Sequence, residues 1–291
     1  MFLFAVVAAL VLSVPFSVAD ATDAPAAPPS PASQVHSVGD TLSYSLNATM
    51  SQGIAGLDAF GRHINQTSAP TTLKLHENIS ITKSSVHDLG MHRVGSITAV
   101  VTGARPVNKD GQGWTTVNQS GVITHDSGKL GGLFLLPVPF LADAAMKGGD
   151  ELAVGDTWSS QLGTKLYGMT ARPHLKYTVV AERLVAGAKI YSIDASGTVP
   201  IKEPVMTTNG EPLGYATGIA DLSAHIEYDR ANRRLISMHA QLTDTLRYSG
   251  PTKHTSGHVK DRQRLDVALE SAPDPSGAQS PSDDPSSGPL P

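Results

Sequence analysis

Cysteine is absent from all 291 residues. That excludes disulfides, a thiol nucleophile, thiolate metal ligands and a lipid anchored on cysteine. A fold of this length must then stand on its core and its backbone ladders alone. Aromatic residues are 5% and charged residues 16%, both low for a globular chain. The formal charge of −4 is close to balance, so the sum gives no electrostatic reason to expect nucleic acid or anionic lipid as partner. Ready-made catalytic phrases are missing too. There is no G-x-S-x-G, no G-x-G-x-x-G, no Walker phrase and no H-E-x-x-H. His254 and His258 stand four apart, but no third ligand accompanies them, so no metal and no cofactor is expected. Asp126-Ser127-Gly128 has the form of an aspartic-protease triplet, yet His125 and Lys129 flank it where apolar residues are needed. A hairpin turn accounts for it better.

Long apolar runs are also scarce. The first is Phe2 to Val14, broken by Pro15 and followed by the small residues Ser17-Val18-Ala19. It is too short to span a bilayer comfortably and has the pattern of a secretory signal peptide. Its n-region carries no Lys or Arg, which leaves a retained N-terminal anchor as the competing reading. No later stretch is long enough to cross a membrane. The expectation is a secreted or periplasmic protein, bacterial in character because it is exported yet free of cysteine. The triplets at Asn47, Asn65, Asn78 and Asn118 would be glycosylated only in a eukaryotic secretory pathway.

Ser, Thr, Gly and Ala fill the space that charge and aromatics leave, and the pattern between them has period two. Leu42, Tyr44, Leu46, Ala48 and Met50 alternate with hydroxyl and amide residues, and so do Leu73 to Ile81 and Ala220 to Tyr228. Half-buried strands produce this alternation. Gln52 to Pro70, Gly103 to Gln119 and Pro200 to Gly214 read as Gly- and Pro-rich loops, and His87 to His92 reads as a turn. Asp229 to Arg234 reads as a hairpin turn. The fold class expected is all-β: one large, curved, mostly antiparallel sheet or open barrel.

Two phrases repeat. Val38-Gly39-Asp40-Thr41-Leu42-Ser43 returns as Val154-Gly155-Asp156-Thr157-Trp158-Ser159, and Gly121 to Leu130 can be laid over Ala224 to Leu235. The expected layout is therefore a signal peptide at 1–19 and an Ala/Pro-rich tether at 20–34, then a first β half at 35–129. An apolar connector at 130–153, a second related β half at 154–271 and an acidic Pro/Ser-rich tail at 272–291 complete it. The one helix expected, Phe140 to Lys147, lies in the connector. The phrase VGDTW at 154–158, the lead-in Leu135-Leu136-Pro137-Val138-Pro139 and the hairpin Tyr228 to Leu235 resemble exported bacterial β proteins in which such a phrase opens a strand of a large antiparallel sheet. That resemblance implies a fold and no activity. At the level of fold type the chain is also similar to periplasmic half-barrels that carry lipid or lipoprotein.

The connector is more apolar than a surface loop. It either crosses beneath the sheet as core or lies over an apolar groove. On the second reading Phe134, Leu136, Phe140 and Trp158 would line a site for a lipid or other apolar molecule, or for an envelope protein. Two carboxylates complete the candidates. Glu77 falls in the apolar row of Leu73, Leu75, Ile79 and Ile81, and Asp244 in the row of Leu242, Leu246 and Tyr248. Inward carboxylates are costly unless paired or wet, so they mark either an edge strand or a polar site in a cleft. Three functions follow from these residues: a non-catalytic exported binding or envelope protein, a hydrolase using Glu77, Asp244 or a His, or a structural surface module.

Overall fold

The structure is a computed structural model of the chain. It describes residues 36–58, 60–85, 88–101, 104–118, 123–127, 137–141, 152–161, 174–185, 187–206, 212–250, 252 and 255–272. The stretches expected as leader (1–19) and tether (20–34), and the expected tail after Ala272, lie outside these residues, as do Phe134 and Leu136.

The alternating segments form strands. They are β1 (Thr41–Leu57), β2 (His63–Thr67), β3 (Thr71–Ser84), β4 (Asp88–Val101), β5 (Val107–Asn118), β6 (Ile123–Asp126), β7 (Thr157–Gln161), β8 (His174–Val185), β9 (Ala188–Met206), β10 (Pro212–Asp229), β11 (Arg234–Ser249) and β12 (Ser256–Ser271). All pair antiparallel in one sheet, in the order β6-β5-β4-β3-β1-β12-β11-β10-β9-β8-β7, and β2 pairs with β1. The sheet is not closed into a barrel. β2 and β3 are two parts of one arm, since both lie along β1, at Gly53–Leu57 and Thr41–Met50 respectively. Each half is thus a simple meander, and the halves join where β1 meets β12 along Ser43–Leu57.

One face of this sheet is apolar and dry. Leu42, Tyr44 and Leu73, Ile79 and Ile81, Tyr177 and Ile193, Ile226 and Tyr228, and Val259 and Val267 all belong to a single buried cluster. For strands of both wings to share one core, the sheet must curl on itself, as twisted sheets of this width do. The outward positions between them carry Ser, Thr, Lys, His and Glu, the inward/outward split expected of antiparallel strands.

The two VGDT turns are built alike. Gly39 and Gly155 have φ of 102° and 94°, which only glycine adopts freely. Asp40 accepts the Ser37 N–H at 2.8 Å, and Asp156 accepts the Ala153 N–H at 3.1 Å. Gly39 N–H donates to Ile81 O and Gly155 N–H to Val179 O, while Ile81 and Val179 return the bond to Asp40 O and Asp156 O. The register of the receiving strand slips just beyond each contact, at Ile81/Lys83 and at Val179/Ala181. The second pair of similar segments falls differently. β6 is the fifth arm of its half, whereas the hairpin at Asp229 follows β10, the fourth arm of the other.

Several segments that read as loops are strands. β1 runs on through Gln52 to Leu57 and returns as β2 after a short turn. In that turn Asp58 Oδ1 accepts the N–H groups of Phe60 and Arg62. Gly56 belongs to the strand because two strands approach there. A Cβ on it would overlap the Ser256 carbonyl and the Tyr248 hydroxyl. β5 occupies most of Gly103 to Gln119, and β9 and β10 fill most of Pro200 to Gly214. Pro200 stands opposite Ile219, and Pro204 opposite Tyr215, in the ladder between β9 and β10. His87 to His92 is no turn either, since β4 begins at Asp88. The hairpin at Asp229 to Arg234 is as expected, with Asp229 accepting from Asn232 N and Arg234 Nε.

Of the connector, Val138–Leu141 makes one helical turn. Past Leu141 the expected helix lies outside the described residues. Val138, Phe140 and Leu141 are buried, so this part of the connector is core.

Candidate functional site

Two polar clusters interrupt the apolar face, and they lie at opposite ends of it. The first is built around Arg93, which is 0% exposed. Alternation along β4 places Met91, Arg93, Gly95 and Ile97 on the inner face, and Gly113 stands opposite Arg93 on β5. Arg93 donates from Nε to Thr115 Oγ1 at 2.7 Å, from one terminal nitrogen to Glu77 Oε1 at 3.3 Å and from the other to Asp126 Oδ1 at 2.8 Å. Thr115 in turn donates to Asp126 Oδ1 at 2.8 Å. One guanidinium therefore links β3, β4, β5 and β6 inside the core.

Two carboxyls share that single cation, so they cannot be equivalent. Glu77 is 2% exposed. Burial pushes its carboxyl up to about 8, Arg93 offsets only part of that, and the charge of Asp126 pushes the same way as burial. Burial thus disfavours the charged form of Glu77, and Arg93 lies closer to Asp126 than to Glu77. Asp126 Oδ2 is buried with no hydrogen-bond partner among the described residues. Of the hairpin turn expected here, Gly128 and Lys129 lie outside the described residues. Asp126 ends β6 with its carboxylate turned inward.

The second cluster is a cross-strand acid pair. Asp244 on β11 stands directly opposite Asp261 on β12, and Asp261 stands opposite Gln52 on β1. Asp244 Oδ1 accepts the Asp261 N–H at 3.1 Å, and Gln52 Nε2 lies 3.5 Å from Asp261 Oδ2. Asp244 Oδ2 is buried without a hydrogen-bond partner among the described residues. Burial first, and then the charge of Asp261, push Asp244 up to about 7. Leu242, Leu246 and Val259 surround the pair on the same face.

The two clusters do not meet. Glu77 pairs with Tyr44 on β1, and Asp261 with Gln52. Eight strand residues separate those levels, about 26 Å at about 3.3 Å per residue. Glu77 and Asp244 are therefore no general acid/base pair.

Of the aromatic candidates, Phe140 is buried against Tyr228, ring centroids 6.2 Å apart, and its carbonyl accepts the Tyr228 hydroxyl at 3.2 Å. Trp158 stacks on Tyr177 at 5.2 Å with an interplanar angle of 8°, which pins the short edge strand β7. Close by Leu141, His36 Nε2 lies 3.2 Å from Arg233 O. Burial holds this imidazole below its ordinary value, so it is neutral at pH 7. Arg93, Thr115, Asp261 and Gln52 were not singled out from sequence. Parity alone marks two of them. Counting back from Ile97 reaches Arg93, and counting back from Leu265 reaches Asp261. Among the described residues no group of three or more His, Asp or Glu is arranged to hold a metal ion.

No protein-family model matches the chain, and no curated protein sequence matches it. Among solved structures, the secretin-domain β-barrel of InvG from the Salmonella SPI-1 injectisome NC-base overlaps 82% of this chain and 65% of its own. The identity is 11% and the TM-score 0.12, too low for a shared fold to be argued from it.

Proposed function

We propose that this is an exported, non-catalytic binding protein that holds an apolar molecule, of lipid character, on the inner face of its curled sheet. The observation that carries the reading is the topology. Two meanders joined at β1 and β12 present one largely apolar face, and their outer edges, β6 and β7, are the ends of the sheet rather than partners. A curled, unclosed sheet of this kind can widen at that seam without breaking its central ladders, and apolar ligands occupy such concave faces. The segment between β6 and β7 carries the apolar run; Phe140 and Trp158 lie on the approach to the β7 edge, and Phe134 and Leu136 belong to the same run, outside the described residues. The matching VGDT turns support the further reading that the halves are related.

The test is uptake of a fluorescent long-chain fatty acid, with native mass spectrometry of the protein after exposure to phospholipid. Binding of one or a few molecules, weakened by Phe134→Asp or Leu136→Asp while circular dichroism stays unchanged, is the expected result. Absence of uptake by the intact folded protein refutes the reading.

A further inference from the structure

The near-neutral total charge hides a division along the outward face. On β12 the outward positions read Lys260, Arg262 and Arg264, and then Asp266 and Glu270. At the acidic end each carboxylate has an imidazole partner across strands. His239 Nδ1 lies 2.7 Å from Asp266, His76 Nδ1 2.9 Å from Glu270 and His225 Nδ1 2.7 Å from Asp194. Of the β12 cations, among the described residues, only Arg264 reaches a carboxylate, Asp266, at 3.5 Å, and on the turn beyond β1 Arg62 pairs with Asp58 at 2.6 Å. Arg247 stands opposite His258, and Lys260 opposite Thr245 on one side and Gly53 on the other. Arg247, Lys260 and Arg262 are exposed, and among the described residues none has a carboxylate within ion-pair distance. The acids nearest these cations on β11 and β12, Asp244 and Asp261, face the core instead.

Apolar side chains flank the three cations. Ile219, 63% exposed, lies between Thr217, which faces Arg247, and Ala220, which faces Asp244. It therefore shares the level of Thr245 and Lys260. Phe60, 81% exposed, stands on the turn beyond Leu57, which pairs with Ser256. The Arg62 guanidinium lies 5.1 Å from the centre of its ring. A polyphosphate chain would need only the cations. An exposed aliphatic side chain and a phenyl ring beside them gain free energy in the interfacial layer of a bilayer, where cations meet headgroups and apolar groups meet acyl chains.

We propose that the end of the outward face bearing Arg247, Lys260, Arg262, Ile219 and Phe60 docks on a bilayer that contains anionic lipid. This does not depend on the sheet holding a ligand, because it concerns the opposite face. It is tested by sedimenting the protein with phosphatidylcholine vesicles, with or without phosphatidylglycerol. Binding is expected only with the anionic lipid, and it falls steeply as salt shortens the screening length below about 8 Å. Near such a surface each charge contributes about five-fold, so Arg247→Glu or Lys260→Glu, reversing one charge, weakens binding about 25-fold. Lys74→Glu makes the same change in net charge on the same face, level with Asp266, and should leave binding within about two-fold. Phe60→Ser and Ile219→Ser each weaken it several-fold at unchanged charge. Melting curves and the milder Arg247→Ser guard against misfolding. Equal binding to neutral vesicles, or equal effects of Lys74→Glu and Lys260→Glu, overturns the proposal. So does indifference to Phe60→Ser and Ile219→Ser combined with full competition by single-stranded DNA, which would mark a polyanion site instead.

Discussion

Replacing Arg93 by Met removes the one cation that serves two buried carboxyls, while the shape and volume of the side chain change little. Glu77, whose charged form burial already disfavours, loses the Arg93 N–H as its donor. Asp126 is left as an unpaired charge, with the Thr115 hydroxyl as its remaining donor. Breaking a buried ion pair from one side costs about 3–5 kcal/mol. For a folded body of this size each kcal/mol lowers the melting temperature by about 2–4 °C, so Arg93→Met should lose about 10 °C. Much of the loss is the stranded charge, and the double variant Arg93→Met/Asp126→Asn should recover at least half of it. An Asn side chain still accepts from Thr115. Lys at 93 should fall between, because an ammonium on a flexible stem cannot present the planar fork that reaches three partners. Differential scanning calorimetry at pH 7 on the four proteins decides the matter. A loss under about 1 kcal/mol in Arg93→Met, or no recovery in the double variant, would refute the reasoning, because no buried charge would then have been stranded.

Three other outcomes follow from the same structure. Asp244 is raised above its unfolded value, so the native state holds more protons than the unfolded chain between about pH 4 and 7, and stability falls as pH rises through that window. Asp244→Asn removes the slope, so thermal melts should show the variant gaining on the parent from pH 5 to pH 8; an unchanged difference would contradict the shift. Asp40→Ala and Asp156→Ala each delete one carboxylate–backbone hydrogen bond in like turns. Chemical denaturation should report similar losses of about 1 kcal/mol for both, and a large disparity would show the turns to be energetically unlike. Gly56→Ala introduces a methyl group against the Ser256 carbonyl, so it should cost about 1–3 kcal/mol by the same measurement; a neutral result would mean the strands can part there.

The sequence carried the fold class because the alternation of Leu, Ile and Tyr with Ser, Thr and Asn is a local signal set by the pleat itself. The VGDT turns were legible for the same reason, since a left-handed glycine followed by a capping Asp is turn chemistry within a few residues. Strand ends were not. Gly53, Gly56, Gly111, Pro200 and Pro204 have turn composition but sit in strands; at Gly56 the close approach of Ser256 and Tyr248, a long-range fact, selects the residue. The site divides likewise. Glu77 and Asp244 stood out as charges in apolar rows, whereas their partners could not be matched to them. Asp126 lies 33 residues from Arg93, and Asp261 lies 17 from Asp244. Only the register of the sheet brings such residues together. Asp126 was further disguised by standing in a triplet that reads as a turn.

The meander also assigns unequal roles to its ladders. The seam between β1 and β12 runs from Ser43 to Leu57 and is flanked on both sides by long strands, so it is the least able to open. The edges are the reverse. Among the described residues β6 is held to β5 only over Thr115 to Val117, and β7 to β8 over five pairs from Thr157 to Gln161. Each edge carries one strong side-chain interaction that compensates for its short ladder. On β6 it is the Asp126 carboxylate on buried Arg93, and on β7 it is Trp158 stacked on Tyr177. A charge buried inside an apolar face is costly unless it holds something in place, and here it holds the strand with the fewest backbone bonds. The cluster around Arg93 is thus better understood as the fastening of an edge than as a reaction centre. Its acid, raised by burial, lies eight strand residues, about 26 Å along β1, from the level of the other acid with which it would have to cooperate.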